Sequence, residues 1–257
     1  LTLLFCDVRN FTTLAEGMSA TELTGFINEL MAPLSEIILN HRGTIDKYMG
    51  DAVMAFWNAP LDDPDHARHA LEAAEAMMAA MAGLNAGWQR AAAERGRAMP
   101  EVRIGIGINT GACCVGNLGT AQRFDYSAIG DEVNIASRLE QLTKDYGLGI
   151  IVGEATARAA GKVGLVEIDR IQVRGRSGMS RIFTLAPPDA EPDFAEAQRA
   201  FAAALPELDP SIWRSALYRA KSAAPARFAG YYHFMLERLS ARGVFEGQSA
   251  PHITIDL

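Results

Sequence analysis

Two short β-rich runs, Thr44 to Met49 and Ala52 to Trp57, are separated only by Gly50 and Asp51. A two-residue connection of this kind closes an antiparallel hairpin, and glycine supplies the positive φ that such turns need. The hairpin fixes one strand pair and puts Asp51 at a sheet edge. Around it the apolar spacing keeps switching between strand and helix periods. Leu1 to Cys6 is an apolar run that ends at Asp7. Ser19 and Glu22 form a capping box ahead of Leu23, Phe26, Ile27, Leu30 and Leu34, which predicts a helix closing near Gly43 with a bend at Pro33. Asp65 to Arg95 reads as a helix with Pro64 at its start, and Gly83 and Gly87 weaken its later turns. Val102 to Asn109 alternates as a strand, and Val133, Ile135, Ala136, Leu139 and Leu142 carry a helical spacing through Tyr146. Apolar runs at 149–152, 166–173 and 181–185, with a helix at 154–160, complete an α/β pattern.

The chain has 257 residues, 49% of them hydrophobic, enough for one large core with an appendage. Composition shifts at Ala186-Pro187-Pro188, which divides a main domain, 1–186, from an Ala-rich extension, 187–257. Phe194, Phe201, Trp213, Leu217, Phe228, Tyr232, Met235 and Leu239 predict two or three helices there, followed by a short strand at His252 to Ile255. A net charge of −7 without a basic stripe excludes a nucleic-acid partner. Cys6, Cys113 and Cys114 form neither a zinc pattern nor a disulfide framework, which fits a reducing, cytoplasmic setting. No run approaches the ~20 apolar residues of a membrane span. The opening on Leu1, without an initiator Met, reads as a fragment whose preceding part holds a sensor and, in some arrangements, a membrane anchor.

Adjacent pairing of the first strand with the hairpin brings Asp7 and Asp51 to one edge, where paired carboxylates suit hard divalent cations. Taken singly, each has an ordinary reading, Asp7 as a strand-ending aspartate and Asp51 as turn chemistry. Asn134 and Arg138 lie four apart on one helix face and can reach one ligand. Without further context Arg138 reads as a surface ion pair, with Glu140 or a neighbouring acidic side chain. Gly105 to Gly119 matches no phosphate loop and reads as flexible connection; Cys113-Cys114 reads as buried packing. His66 and His69 read as flanking a helix.

The contexts of these residues are more specific. Phe5-Cys6-Asp7-Val8-Arg9-Asn10-Phe11-Thr12, Lys47-Tyr48-Met49-Gly50-Asp51 and Gly130-Asp131-Glu132-Val133-Asn134-Ile135-Ala136-Ser137-Arg138 resemble, in order and spacing, the class III adenylyl and guanylyl cyclase catalytic domain over residues 1–186. The resemblance implies a ferredoxin-like βαββαβ core with extra C-terminal strands, working as a head-to-tail homodimer with two sites built from both chains. Asp7, Asp51 and the Val8 carbonyl would hold two Mg2+ or Mn2+ ions that activate the ribose 3′-hydroxyl of ATP and neutralise departing pyrophosphate. Backbone amides at Phe11 and Thr12 would bind phosphate. Asn134 would orient the ribose, and Arg138 would stabilise charge on the α-phosphate. Lys47 and Ser127 occupy the purine-reading positions. Lys47 stands where guanylyl cyclases carry Glu, and Ser127 where many adenylyl cyclases carry Asp, as in a bacterial adenylyl subgroup with Ser or Thr. Arg176 matches a position that contacts terminal phosphates, although a solvated hairpin arginine fits almost as well.

The implied product is cyclic AMP. A guanylate cyclase stays open because a serine hydroxyl can donate or accept. So does a non-catalytic nucleotide-binding module, although the chain keeps Asp7, Asp51, Asn134 and Arg138. A diguanylate cyclase or polymerase palm also pairs two carboxylates, but the hairpin lacks the Gly-Gly-Asp/Glu-Glu-Phe pattern and such a site has no use for Asn134 and Arg138.

Overall fold

Leu3 and Phe5 point to one buried face of the first strand, β1 (Thr2–Val8), and Leu4, Cys6 and Val8 to the other, so the strand has layers on both sides. The computed structural model describes residues 1–120, 122–161, 164–174, 177–186, 190, 192–205, 210–242 and 253–255. β1 pairs antiparallel with β3 (Ala52–Trp57) and with β4 (Ile104–Thr110). β2 (Thr44–Met49) closes the expected hairpin on β3, with Gly50 at φ 69°. The order β4-β1-β3-β2 is the ferredoxin-like half of an eight-stranded sheet. Beyond β4 the sheet continues through β7 (Ile150–Gly153), which leads into α5 (Glu154–Ala159), then β9 (Met179–Leu185), β8 (Leu165–Val173) and β10 (Ile253–Ile255).

One face is covered by α2 (Ala20–Asn40) and α3 (His66–Glu94), whose Leu30, Leu34, Ile38 and Met77 meet Leu4, Val53, Trp57 and Ile106. The capping box forms as read. The Glu22 amide donates to Ser19 Oγ at 3.3 Å, and the Ser19 amide donates to Glu22 Oε2 at 2.9 Å. α2 runs through Pro33 without interruption. Gly43 follows it where a Cβ would lie 2.7 Å from Ile38 Cγ2 and 2.8 Å from the Trp57 ring, so only glycine lets the chain turn this closely into β2.

The other face receives α4 (Asp131–Asp145) and a separate hairpin of β5 (Cys114–Thr120) and β6 (Arg123–Ile129). This corrects the expectation that Gly105 to Gly119 is flexible connection. Gly105 and Gly107 are strand residues without side chains on the face toward α4, while Ile104, Ile106 and Ile108 fill the opposite core. A Cβ on Gly107 would overlap the Glu140 amide nitrogen and the Ala136 carbonyl oxygen. The glycines are a seat for a helix. The cysteine pair is divided as well, with Cys113 half-buried just before β5 and Cys114 exposed at its first position, so only one of them packs as expected.

The extension folds back onto the sheet. Phe194, Phe201, Trp213, Leu217, Phe228, Tyr232 and Met235, from α6 (Pro192–Ala204), α7 (Pro210–Ser222) and the α8 segment (Ala229–Arg242) with the turn before it, share a core with Leu139, Tyr146 and Ile168. Buried polar contacts fix the docking. The Tyr146 hydroxyl donates to Asp169 Oδ2 at 2.5 Å, Arg238 pairs with the same carboxylate, and the Tyr231 hydroxyl donates to the Ile168 carbonyl at 2.6 Å. β10 lies parallel to β8 at the sheet's end. Pro187, Pro188, His252 and the Leu239 side chain fall outside the described residues. Among the described residues no helix is long and apolar enough to cross a membrane. Since the atoms facing Gly107 are helix backbone, Gly107→Ala should destabilise the chain by about 3 kcal/mol in chemical denaturation and abolish activity.

Candidate active site

Asp7 follows Leu3 and Phe5 on the α4 side of β1, by the two-residue alternation of a strand. Cys6 pairs with Val53, which brings Asp7 level with the turn carrying Asp51. The two carboxyls lie close enough to act on each other. Burial pushes the Asp51 carboxyl up to about 6, and its proximity to Asp7 adds to it, while backbone amides of Asp51 and Val8 oppose. The Val8 amide also donates to Asp7 Oδ1 at 2.9 Å. Two crowded, partly desolvated carboxylates with backbone oxygens nearby fit a hard cation. Among the described residues no group of three or more acidic, histidine or cysteine side chains assembles to hold a metal. Any further donors would have to be backbone oxygens, water or substrate phosphates, the mix magnesium commonly accepts.

Two residues near the pair were not singled out for this role from sequence. Glu140, on the α4 face that meets β4, is pushed up to about 7, first by burial and then by Asp7, with Arg9 opposing. Arg9 is itself lowered by burial, and its Nη2 donates to the Leu148 carbonyl at 2.7 Å. Glu140 therefore faces the aspartates and Arg9, and the Arg138–Glu140 ion pair considered above is replaced by a bond from Arg138 Nη1 to Gln141 Oε1 at 2.8 Å. The helical stripe Ala136, Glu140, Thr143, aligned with Gly107 and Gly105, was the available signal.

A second cluster joins residues 80 apart in sequence. Lys47 Nζ donates to Ser127 Oγ at 3.2 Å and pairs with Asp46 at 3.1 Å. The Ser127 hydroxyl donates to Asp46 as well, at 2.9 and 2.7 Å to its two oxygens. Nothing in the sequence marks Asp46 for this cluster, because a regular strand sends neighbours 46 and 47 to opposite faces. A register shift between Ile45 and Lys47 breaks that rule.

The remaining positions are separate. Asn134 is exposed on α4, one turn before Arg138. Arg138 stands two residues before Glu140, about 200° around the helix. Phe11 and Thr12 open the short α1 (Phe11–Ala15), where Asn10 takes a left-handed φ of 55°. First-turn amides there have no partner within the helix. His66 and His69 lie within the first turn of α3 rather than flanking it; His69 pairs with Asp63 at 2.6 Å and His66 with Thr2 at 2.6 Å. Arg176 lies outside the described residues.

Residues 1–186 match the family of adenylate and guanylate cyclase catalytic domains. "Adenylate cyclase 1" of Rhizobium meliloti is 38% identical over 178 residues, 69% of this chain and 26% of that protein. Among solved structures, the adenylyl cyclase CyaB from P. aeruginosa superposes with a TM-score of 0.64 at 36% identity, covering 72% of this chain and 93% of that one. The guanylyl cyclase Cya2 gives 0.61 at 30% identity, covering 73% and 93%. The chain belongs to the class III adenylyl and guanylyl cyclase catalytic domain family, and it spans about a quarter of the length of the curated relative from R. meliloti.

The raised Asp51 carboxyl has a consequence for stability. A carboxyl whose folded pKa exceeds its unfolded value costs nothing below the unfolded pKa of ~3.9, where both states are protonated, and the penalty grows as pH rises through about 6. In EDTA at pH 8, Asp51→Asn should therefore stabilise the chain by roughly 1 kcal/mol, after allowance for solvent screening of a partly exposed group. Urea denaturation at pH 8 and pH 3.5 checks this, with the gain absent at the lower pH.

Proposed function

We propose that the chain is an adenylate cyclase, forming 3′,5′-cyclic AMP and pyrophosphate from ATP at sites shared across a head-to-tail homodimer. The observation that carries the base assignment is the meeting of Lys47 and Ser127 at 3.2 Å. Adenine offers an amino donor where guanine offers a carbonyl acceptor. A lysine ammonium to donate to a ring nitrogen and a serine oxygen to accept from the amino group complement adenine. Similar proteins named adenylate cyclase support the same reading.

In this mechanism Asp7, Asp51 and the Val8 carbonyl would hold divalent ions, magnesium or manganese, and the donor set is all oxygen, as such ions prefer. Bound there, the ions supply Lewis acidity toward the 3′-hydroxyl and the phosphates. The amides of Phe11 and Thr12 hold phosphate oxygens, and Arg176 is proposed to reach the terminal phosphates. Asn134 orients the ribose so that the 3′-hydroxyl lies in line with the α-phosphorus. The Arg138 guanidinium stabilises the charge that builds on the α-phosphate as the oxygen attacks.

The face of α4 that carries Glu140 looks toward the aspartates of its own chain. Asn134 and Arg138 look away from them, which favours delivery to a partner's metal site. Lys47 is 43% exposed, and Tyr48, Met49, Phe124 and Ile129 leave apolar surface beside it for a second copy. We place the domain in the cytoplasm, where ATP is abundant and thiols stay reduced.

Asp51→Ala and Arg138→Ala homodimers should each lose activity, Arg138→Ala by about 100- to 1000-fold in kcat. Mixed, they should recover it through one intact hybrid site. No recovery in a verified heterodimer contradicts the shared site. Product analysis from ATP and GTP with manganese tests the base assignment; faster turnover of GTP sinks it, and no turnover of either nucleotide at high protein concentration favours a regulatory module.

A further inference from the structure

We propose that Asp46 sets the base preference of this site by fixing the direction of the Ser127 hydroxyl, an inference that rests on the adenine reading above. Asp46 is the extra residue of the bulge in β2, and the bulge turns it toward the same neighbour that Lys47 reaches. Its side chain is 0% exposed, and Ser127 is 5% exposed. The buried carboxylate accepts from the Ser127 hydroxyl at 2.9 and 2.7 Å, from the Ala128 amide at 3.0 Å and from the Lys47 ammonium at 3.1 Å.

The proton count decides the polarity of the site. Ser127 has one proton to give and two lone pairs. Lys47, 3.2 Å away, has only protons to offer, and the carboxylate of Asp46 has none. The hydroxyl proton therefore goes to Asp46. One lone pair of Ser127 then faces Lys47, and the other is left for a ligand. A serine that is ambiguous on its own becomes an acceptor, as an aspartate in its place would be. That acceptor attracts the amino group of adenine and repels the carbonyl oxygen of guanine. Asp46 is thus a positioning residue, acting on the base through Ser127.

Asp46→Asn loosens this hold with little change in size. The oxygen that serves the Ala128 amide can stay as a neutral acceptor, but the other, 2.9 Å from Ser127 Oγ and 3.1 Å from Lys47 Nζ, becomes an NH2 donor, so the serine loses its charged acceptor and its proton is released toward the base. The test is the ratio of kcat/KM for ATP to that for GTP, measured with Mn2+ on the full chain. The ratio does not depend on the fraction of each variant that folds. In Asp46→Asn it should fall on the order of tenfold or more. In a Ser127→Ala background the same substitution should leave the ratio unchanged, and Asp46→Asn/Ser127→Asp, which supplies an acceptor directly, should restore preference for ATP.

Equal loss of ATP and GTP turnover in Asp46→Asn overturns the inference and leaves the adenylate cyclase reading standing. An equally large change in ratio without the serine hydroxyl overturns it too. A wild-type chain that prefers GTP overturns the adenine reading itself, and this inference with it.

Discussion

The contact on which the site depends is the seating of α4 directly on the backbone of β4. Two glycines on one face of that strand remove the side chains that would hold the helix away, and Ala136 and Thr143 keep the helix side small. Close approach has two results. It carries Glu140 to the carboxylates at the end of β1, and it leaves the opposite face of the same helix, with Asn134 and Arg138, turned outward. One helix thus presents one face to the acids of its own chain and another to whatever docks outside.

The carboxylates illustrate a cost that function imposes. Asp7, Asp51 and Glu140 stand close enough that two of them are pushed up by burial and mutual repulsion, with Arg9 as the nearby compensating cation. A chain selected for stability alone would not gather acids there. Cations would offset that repulsion, so on the proposed mechanism substrate and metal binding also relieve the folded state.

Much of the fold was legible because it rests on local signals. The Gly50-Asp51 turn, the Ser19–Glu22 capping box and the periodicity of Val133 to Leu142 each appear where their spacing put them. The hairpin of β5 and β6 was not legible, since Gly116, Gly119 and exposed residues such as Phe124 give no apolar alternation. At the site, resemblance pointed to Lys47 and Ser127, and they do meet. Asp46 escaped notice because a bulge is a property of strand pairing, which a single strand's sequence does not display. Glu140 was seen only as a neighbour of Arg138 along the chain, while its environment comes from β1 and Arg9 across the sheet.

The C-terminal helices add a constraint on α4 that the shared cyclase fold does not require, since the family match ends at residue 186. Tyr146, the residue closing α4, has its ring 4.7 Å from that of Phe234 and 6.3 Å from that of Tyr231. Gly147 and Gly230 bring the two backbones together just beyond it. The Tyr146 hydroxyl shares the buried Asp169 carboxylate with Arg238. α4 is therefore held along its length by the glycine seat of β4 and at its C-terminal end by the extension. A shift of α8 would have to break this buried polar cluster or move α4 with it. Asn134 and Arg138 ride on that helix, so the tail packs against the same element that carries the proposed catalytic groups.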